Sequence, residues 1–365
     1  MAIALMLGGG APTLTLMAGA LAALDEEGVS FDVVSTAGAG MLVGLLYAAP
    51  RDATRAEALR RTVEMGVADA IYERFPVNYK VFHKPGPAAV DYTRSLAAFG
   101  RRGKDGVPEH PLARWLLAWS QWWFPASVFG SDATKLRDDW LALWAALLCP
   151  SDLGPTSKGL CQPAPWVEEV VDFEALRRFP GEFYINAYNV TDQKMEIFSR
   201  DEITIDHFHA ALAFPFIYEP FRMNGKVYVE GSAIDTLNYE GLLEEKRAQV
   251  DTIVVFDVLS RKELIREPRD LYDAWVRSII LPLVAMSKDD TRLFELVHNR
   301  KHKKKLLRVP FLIPPDRWEH ILDWSRSNLE ALWDIGYDSG RAFFALHREE
   351  LSRAADSPRG LPQAG

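Results

Sequence analysis

The stretch AIALMLGGG at residues 2–10 decides the fold class. Its first six residues are all apolar, and so short an apolar run is typical of a strand buried on both faces of a sheet. After the glycines, apolar residues recur at helical spacing from Leu14 to Glu27, and Gly28 stands where a helix C-cap belongs. A strand, a glycine-rich loop and a helix in this order predict the opening of a parallel α/β sheet.

The same pattern continues along the chain. A second strand is predicted from Phe31 to Ser35, and a buried helix from Gly40 to Ala49, which Pro50 closes. From Pro268 onward the pattern is helical, except for the segment 309–315. Further strands are predicted at residues 182–190, 196–199, 227–230 and 252–258. We therefore predict an α/β fold, a mainly parallel sheet flanked by helices.

The region between the two sheet segments has a different character. Six tryptophans lie between residues 115 and 144, and a Pro/Gly-rich loop follows at 150–165. This composition predicts a helical, aromatic-rich insertion that acts as a lid. We predict one domain over residues 1–365, made of a sheet core at 1–59, the insertion or lid at 60–166, a sheet core with an acidic motif at 167–260, and a C-terminal helical part at 261–365.

The composition limits the classes of partner. The chain has 365 residues, 48% of them hydrophobic, and its net charge of -8 argues against nucleic acid, whose phosphates need a basic face. The N-terminus lacks the basic start of a signal peptide, and no apolar run reaches the length of a transmembrane helix, so we expect a cytoplasmic protein. Cys149 and Cys161 leave open whether the thiols are reduced or form one local bridge.

Three glycines directly after a buried strand let the backbone approach a ligand closely. Because a helix follows, we expect the N–H groups of Gly8, Gly9, Gly10 and Ala11 to point into one space, with the helix dipole behind them. Such a loop holds a phosphate or a developing oxyanion. The nucleotide alternative is weak, because the sequence continues neither as G-x-G-x-x-G nor as a P-loop with its Lys.

The segment Thr36-Ala37-Gly38-Ala39-Gly40 also lies after a buried strand and before a helix. This is the place of a nucleophile elbow, a strained turn that lifts its central side chain above the sheet. Small residues at a tight strand-to-helix turn equally serve packing alone, and the segment by itself leaves both interpretations open.

In order, spacing and residue type, residues 7–24 and 31–44 resemble the opening of patatin-like phospholipases. That family has a G-G-G-x-[RK]-G loop as oxyanion hole, a G-x-S-x-G elbow, and a catalytic Asp in a later D-G-[GA] motif. Residues 210–215 resemble the family's small-residue segment that ends in Pro, and 227–231 resemble the strand that delivers the Asp. The resemblance implies a lipid, or another acyl ester or thioester, as the ligand, and no cofactor.

The loop and the elbow depart from the family pattern. Pro12 replaces the Arg or Lys after the glycines, and Thr13 replaces the next glycine. Thr36 stands at the first position of the elbow, and Gly38 at the position that the resemblance gives to the nucleophile. Gly38 has no Oγ, so the acyl-enzyme route is closed at this position. The neighbouring hydroxyls of Ser35 and Thr36 are poor replacements, because strand alternation turns at least one of them away.

The acidic motif also departs from the family. Glu230 stands at the position of the catalytic Asp, followed by Gly231 and, further on, Asp235. The glutamate carboxylate reaches one methylene further than that of aspartate. We therefore single out Glu230 as a candidate acid or base.

Three hypotheses follow. The first is an acyl-binding protein with impaired or altered hydrolase chemistry. The second is an acyl hydrolase or acid/base enzyme without a serine, in which a water at Gly38 is activated by Glu230 and faces the loop of Gly9 and Gly10. The third is a membrane-associated structural protein.

Three further features bear on partners. Trp115, Trp119, Trp122 and Trp123 share one helical face, which suits a lid or a membrane interface but equally a core. The basic run at 300–305 is either a solvated face or a contact for anionic lipid through Arg300, Lys301, Lys303, Lys304 and Lys305. His207 and His209 lack an evident third ligand, and no metal is predicted.

Overall fold

The structure is a computed structural model. It describes residues 2–80, 82–83, 87–103, 107–123, 133–150, 162–163, 167–215, 217–242, 250–269 and 271–352. The strands are β1 (Ala2–Leu7), β2 (Val33–Thr36), β3 (Phe82–His83), β4 (Gln162–Pro163), β5 (Glu182–Asn189), β6 (Lys194–Ser199), β7 (Phe221–Met223), β8 (Lys226–Glu230), β9 (Val250–Phe256) and β10 (Lys305–Arg308).

Helices account for much of the rest. They are α1 (Leu14–Glu26), α2 (Gly40–Ala48), α3 (Arg55–Glu64), α4 (Asp69–Tyr72), α5 (Pro87–Gly100), α6 (Pro111–Trp123), α7 (Ala133–Leu148), α8 (Val167–Val170), α9 (Phe173–Leu176), α10 (Ile205–Leu212), α11 (Leu271–Leu293), α12 (Asn299–His302), α13 (Arg326–Leu346) and α14 (Arg348–Ser352). A short 3-10 turn, Gly231–Ala233, follows β8 directly.

One eight-stranded sheet organises the fold, in the order β10-β9-β1-β2-β5-β8-β7, with β6 paired to β5. The pairs from β10 through β5 are parallel, and the pairs of β5 with β6, β5 with β8 and β7 with β8 are antiparallel. The predicted α/β fold with a mainly parallel sheet is confirmed.

Strand β1 is buried on both of its faces, as its sequence predicts. Ile3, Leu5 and Leu7 belong to the larger core together with residues of α1, α2 and α13. Ala4 and Met6 face the other way, into a second core that includes residues of β9. An entirely apolar strand therefore has no polar face to expose.

The described part of the insertion is mainly helical, with one short antiparallel pair of β3 and β4. An ion pair between Lys80 and the buried Asp139 anchors α7. Lys80 Nζ lies 2.6 Å from Asp139 Oδ1, and the backbone N–H of Ala68 donates to the other oxygen of that carboxylate at 2.7 Å. Val67 and Leu143 belong to a small separate hydrophobic cluster beside this pair.

The C-terminal part corrects one detail of the sequence prediction. The edge strand β10 at Lys305–Arg308 interrupts the part of the chain that we predicted to be helical up to residue 308. Its parallel register with β9 pairs Leu306 with Ile253. The charged residues Lys305 and Arg308 at the two ends of β10 leave only two apolar residues between them, too few to predict a strand. Among the described residues, no helix is both long and apolar enough to cross a bilayer.

The approach of α2 to the end of β1 depends on Gly40. A Cβ at this position would lie 2.5 Å from the carbonyl oxygen of Leu7 and 2.7 Å from its carbonyl carbon. We expect Gly40→Ala to lower the free energy of unfolding by about 2–3 kcal/mol, because rigid backbone must move apart. Gly100→Ala is the matched control, since a Cβ at Gly100 would meet nothing within 4 Å. Equal urea midpoints for Gly40→Ala and wild type would contradict this close approach.

Candidate functional site

Three segments that lie far apart in sequence meet at one end of the sheet. They are the glycine loop after β1, the turn after β2 and the end of β8. A Cβ built on Gly9 would lie 3.2 Å from Ser232 Oγ, and one built on Gly38 would lie 2.5 Å from the same atom. Ser232 belongs to the 3-10 turn that follows Glu230. The structure thus brings together the loop, the elbow and the acidic motif that the sequence singles out.

The turn between β2 and α2 has the backbone of an elbow. Gly38 has φ of +49°, in the left-handed region that disfavours side chains. The hydroxyls beside it are used structurally. Ser35 Oγ donates to the carbonyl of Asn238 at 3.1 Å, and Thr36 Oγ1 donates to the carbonyl of Tyr184 at 3.0 Å. Both hydroxyls are thus taken by backbone carbonyls, and neither residue lines the cavity described below, so neither serves as a replacement nucleophile.

The space beside Gly38 is filled by two other side chains. A Cβ at Gly38 would collide with Glu230 Oε1 and would lie 3.0 Å from Ser232 Cβ. The water that the second hypothesis places at Gly38 would have to share this space with Glu230 Oε1 and Ser232 Oγ. The extra methylene of Glu230 carries its carboxylate into the volume that a serine side chain on the elbow would need.

Glu230 is a buried carboxyl group with one side-chain partner. It is 6% exposed, and Ser232 Oγ donates a hydrogen bond to its Oε1. Burial raises the pKa of Glu230 to about 7, and the hydrogen bond from Ser232 opposes this rise. The group is therefore divided between its acid and base forms near neutral pH.

Ser232 is the site residue that sequence reasoning missed. It is 2% exposed, and its hydroxyl lies among Gly9, Gly38 and Glu230. A signal was present in the sequence: Ser232 is the third residue of Glu230-Gly231-Ser232, at a position where the D-G-[GA] motif has Gly or Ala. The serine hydroxyl is thus a second departure from the D-G-[GA] motif, two residues after the replacement of Asp by Glu230.

The donors of the glycine loop differ from those expected. The N–H of Gly8 donates to the carbonyl of Phe256 at 3.1 Å, and the N–H of Gly9 donates to that of Thr236 at 3.1 Å. The prediction that these two amides face a ligand is wrong, because both of them donate to backbone carbonyls within the protein.

Three other N–H groups are available at the site. Gly10, Ala11 and Ala39 have no hydrogen-bond acceptor for their N–H groups within the described ranges. Ala39 is the N-cap of α2, so its amide lies at the positive end of that helix. These are the donors that could hold a carbonyl oxygen or an oxyanion.

All three residues, with Glu230 and Ser232, line a cavity of about 270 Å³. Its wall is mostly apolar and comes from the chain after α10, from α11 and from the loop before α13, with a contribution from residues 72–78. The apolar lining residues are Tyr72, Pro76, Val77, Leu212, Phe214, Ile217, Tyr218, Leu259, Trp275, Val276, Ile279, Ile280, Leu283, Leu322 and Trp324. The polar and charged lining residues besides Glu230 and Ser232 are Asn78, Arg269, Asp273, Arg277, Glu319 and Asp323. A largely apolar pocket with polar groups among its lining residues is typical of a small-molecule site.

Comparison with known proteins identifies the family of this chain. The family model of patatin-like phospholipases matches residues 5–243. The chain belongs to the patatin-like phospholipase family. The crystal structure of VipD from Legionella pneumophila is similar at 14% sequence identity and a TM-score of 0.39, over 95% of this chain and 67% of that one. No curated protein matches the chain.

An ion cluster fixes the start of α11 beside the cavity of this patatin-like chain. Asp273 accepts hydrogen bonds from the guanidinium of Arg266, at 2.9 Å, and from that of Arg277, at 3.2 Å. Burial would raise the pKa of Asp273, but the backbone N–H of Arg269 and the Arg277 side chain lower it to about 2. This cluster holds in place the helix that supplies much of the cavity wall.

The tryptophan face of α6 lies outside the cavity wall. Trp115, Trp119, Trp122 and Trp123 are 58%, 52%, 89% and 66% exposed, and none of them lines the cavity. The rings of Trp115 and Trp119 stack, with centroids 6.2 Å apart. The alternative that these tryptophans form a core is wrong for the described chain, and the cavity wall comes from α11 instead of α6.

The basic run at 300–305 is partly used within the fold. Lys304 is buried and its Nζ donates to the carbonyl of Val250 at 2.7 Å, while Lys305 Nζ lies 2.6 Å from Glu350 Oε1. Arg300 and Lys303 are exposed. The side chain of Lys301 lies outside the described part of the chain. As a docking surface for anionic lipid, this run is weaker than its sequence indicates.

The remaining candidates have structural roles. Asp235 accepts the N–H groups of Leu237 and Asn238 at 3.2 and 2.8 Å, and so shapes the turn after Gly231. His207 lies in the capping box of α10. The described residues hold no group of three or more His, Cys, Asp or Glu suited to a metal. Cys149 is buried, whereas Cys161 lies outside the described residues.

Burial of Glu230 predicts a pH dependence of stability. The pKa of Glu230 is about 7 in the folded chain, against an ordinary value of 4.5. Its contribution to the free energy of unfolding is therefore fully present below pH 4.5, and about 3 kcal/mol of it is lost as the pH rises from there through 7. Glu230→Gln cannot ionise and should lack this loss. Urea unfolding of both proteins at pH 4.5, 6 and 8 measures the difference. The same pH slope for the two proteins would show that Glu230 ionises normally.

Proposed function

We propose that the cavity binds the acyl chain and the carbonyl group of a lipid or another acyl ester. The observation that carries this proposal is one largely apolar cavity lined by Gly10, Ala11 and Ala39, whose N–H groups have no acceptor among the described residues. An acyl ester has the same two parts, an apolar chain and one strong hydrogen-bond acceptor. Membership of the patatin-like family supports a lipid as the ligand.

The charge of Glu230 favours an ester over a free fatty acid at the three amides, while Arg269 and Arg277, which also line the cavity, are paired with Asp273. Beside the three amides lies Glu230, whose carboxyl group ionises as the pH rises above about 7. A second carboxylate next to an ionised Glu230 would be repelled, because two like charges in a buried site destabilise each other. An uncharged ester carbonyl accepts the same amide hydrogen bonds without this repulsion.

The elbow itself offers no covalent chemistry in this proposal. Gly38 carries no hydroxyl, and the space beside it is filled by Glu230 and Ser232. Binding through the amides and the apolar wall does not depend on a nucleophile at position 38. The proposed function is therefore acyl-ester binding on the scaffold of a lipid acyl hydrolase.

Two leucines of α11 provide a matched test of binding. Leu283 lines the cavity, and Leu281 on the same helix is 51% exposed and does not. We expect Leu283→Trp to weaken binding of a fluorescent long-chain acyl ester at least tenfold, because the indole takes up part of the cavity. Leu281→Trp should bind as wild type does. Fluorescence titration measures both affinities. Equal affinities for the two variants, or no binding by wild type, would exclude this cavity as the acyl site.

A second proposal concerns how the protein meets its ligand. We propose that the tryptophan face of α6 docks at a membrane surface, because indole rings are favoured at the boundary between water and lipid. The observation behind it is the exposure of Trp115, Trp119, Trp122 and Trp123 on one side of a helix. Large exposed apolar surfaces of this kind mark interaction sites in soluble chains.

Co-sedimentation with phosphatidylcholine vesicles tests this docking. Trp122 is 89% exposed, and Trp122→Ser should weaken the partition by about tenfold, as expected for the loss of one buried aromatic side chain. Leu346→Ser is the control, because it removes an exposed apolar side chain from α13 instead. Anionic lipid should add little, since Lys304 and Lys305 are engaged within the protein. Equal partition of all three proteins would leave the tryptophans without this role.

A further inference from the structure

The hydroxyl that is absent from position 38 has a counterpart in space. Ser232 Oγ lies 2.5 Å from the point where a Cβ on Gly38 would stand. The Oγ of a serine on the elbow would itself lie within a bond length of that point. A hydroxyl is thus present in the same small volume, although it comes from the 3-10 turn after β8 and not from the elbow.

We propose that Ser232 is the nucleophile and Glu230 the general base of an acyl-ester hydrolase. This proposal deepens the acyl-binding function and rests on it. The two residues are adjacent to each other through the hydrogen bond from Ser232 Oγ to Glu230 Oε1, and both line the cavity. A nucleophile in direct contact with its base is the arrangement that hydroxyl activation requires.

The contrast with the nearby hydroxyls argues against packing as the sole role of Ser232. Ser35 and Thr36 are buried, and each donates to a backbone carbonyl, which is how a structural hydroxyl is commonly satisfied. Ser232 instead donates to a buried carboxyl group, and its residue lines the cavity. Such a carboxyl group is costly to bury, and packing alone would be served by Gly or Ala at position 232.

The first half of the reaction forms an acyl-enzyme. Ser232 Oγ attacks the carbonyl carbon of the ester while its proton passes to the Glu230 carboxylate. The carbonyl oxygen becomes an oxyanion, for which the N–H groups of Gly10, Ala11 and Ala39 are the available donors. When the intermediate collapses, the bond to the alcohol oxygen breaks and Glu230 returns the proton to that alcohol. The acyl group is then esterified to Ser232.

The second half uses one water. The water oxygen attacks the acyl carbon while Glu230 takes a proton from that water. The N–H groups of Gly10, Ala11 and Ala39 are again the available donors to the oxyanion. Collapse breaks the bond to Ser232 Oγ, which recovers its proton from Glu230, and the carboxylic acid leaves. The pKa of Glu230 of about 7 suits both roles, since a group that must accept and return a proton works best near the ambient pH.

A fluorophosphonate with a long alkyl chain tests the nucleophile directly. It phosphonylates an activated serine, and peptide mass spectrometry identifies the residue on the wild-type protein without any variant. We expect one label per chain, on Ser232. Ser232→Ala should not be labelled, and Glu230→Gln should react roughly 100-fold more slowly, as expected for loss of a general base. Ser35→Ala is the matched control and should react as wild type does, because that hydroxyl donates to a backbone carbonyl.

Parallel binding measurements separate the two proposals. Each variant is titrated with the fluorescent acyl ester, and binding within threefold of wild type shows that the site is intact. A wild-type protein that binds the ester but takes no label, or takes it on another residue, would overturn the Ser232 proposal and leave acyl binding standing. Absence of both binding and label would remove the two proposals together. Hydrolysis of the ester by wild type and by Ser35→Ala, but not by Ser232→Ala, is the expected kinetic result.

Discussion

A carboxyl group buried at the end of β8 constrains much of the site. Glu230 has one side-chain partner in the described chain, Ser232, and an isolated charge would be costly in such surroundings. The group responds by holding its proton up to about pH 7. A side chain at position 38 would require this carboxylate to move, because the carboxylate fills the space beside that glycine. The two departures from the family pattern, glycine at 38 and glutamate at 230, are therefore linked by packing, because the longer carboxylate uses the space that the glycine leaves.

The parts of the fold that the sequence predicts are those decided by local pattern. Strand β1 is apolar throughout because alternate residues enter two different cores, and α2 begins at Gly40 because only glycine allows the backbone of Leu7 so close. Such features depend on a few neighbouring residues. The end of β8 can also be predicted from the sequence, since a strand that ends in an acidic residue followed by glycine is a short and recognisable pattern. The family resemblance adds the order of these segments, and the structure agrees with it.

The features that the sequence does not predict depend on contacts between distant segments. No local pattern shows that the amide of Gly9 is taken by the carbonyl of Thr236, or that the amide of Ala39 is left available. Much of the cavity wall is supplied by α11, whose apolar residues look like those of any packed helix. The composition of α6 predicts a lid, yet the tryptophan side chains of this helix lie at the surface. In each case tertiary packing decides which groups meet.

The position of the hydroxyl has a mechanical consequence. In an elbow arrangement the nucleophile and the acid belong to different segments, so their distance depends on how β2 and α2 pack against β8. Ser232 and Glu230 are two residues apart at the end of one strand, so their contact is set by the local backbone of a 3-10 turn. The amide donors still depend on the packing of the loop and of α2. Small shifts of α2 would therefore change how well an oxyanion is held while leaving the nucleophile and its base in contact. Proton transfer within such a pair is insensitive to movements of the cavity wall. What depends on the wall is the position of the ester carbonyl relative to Ser232 Oγ and the amide donors.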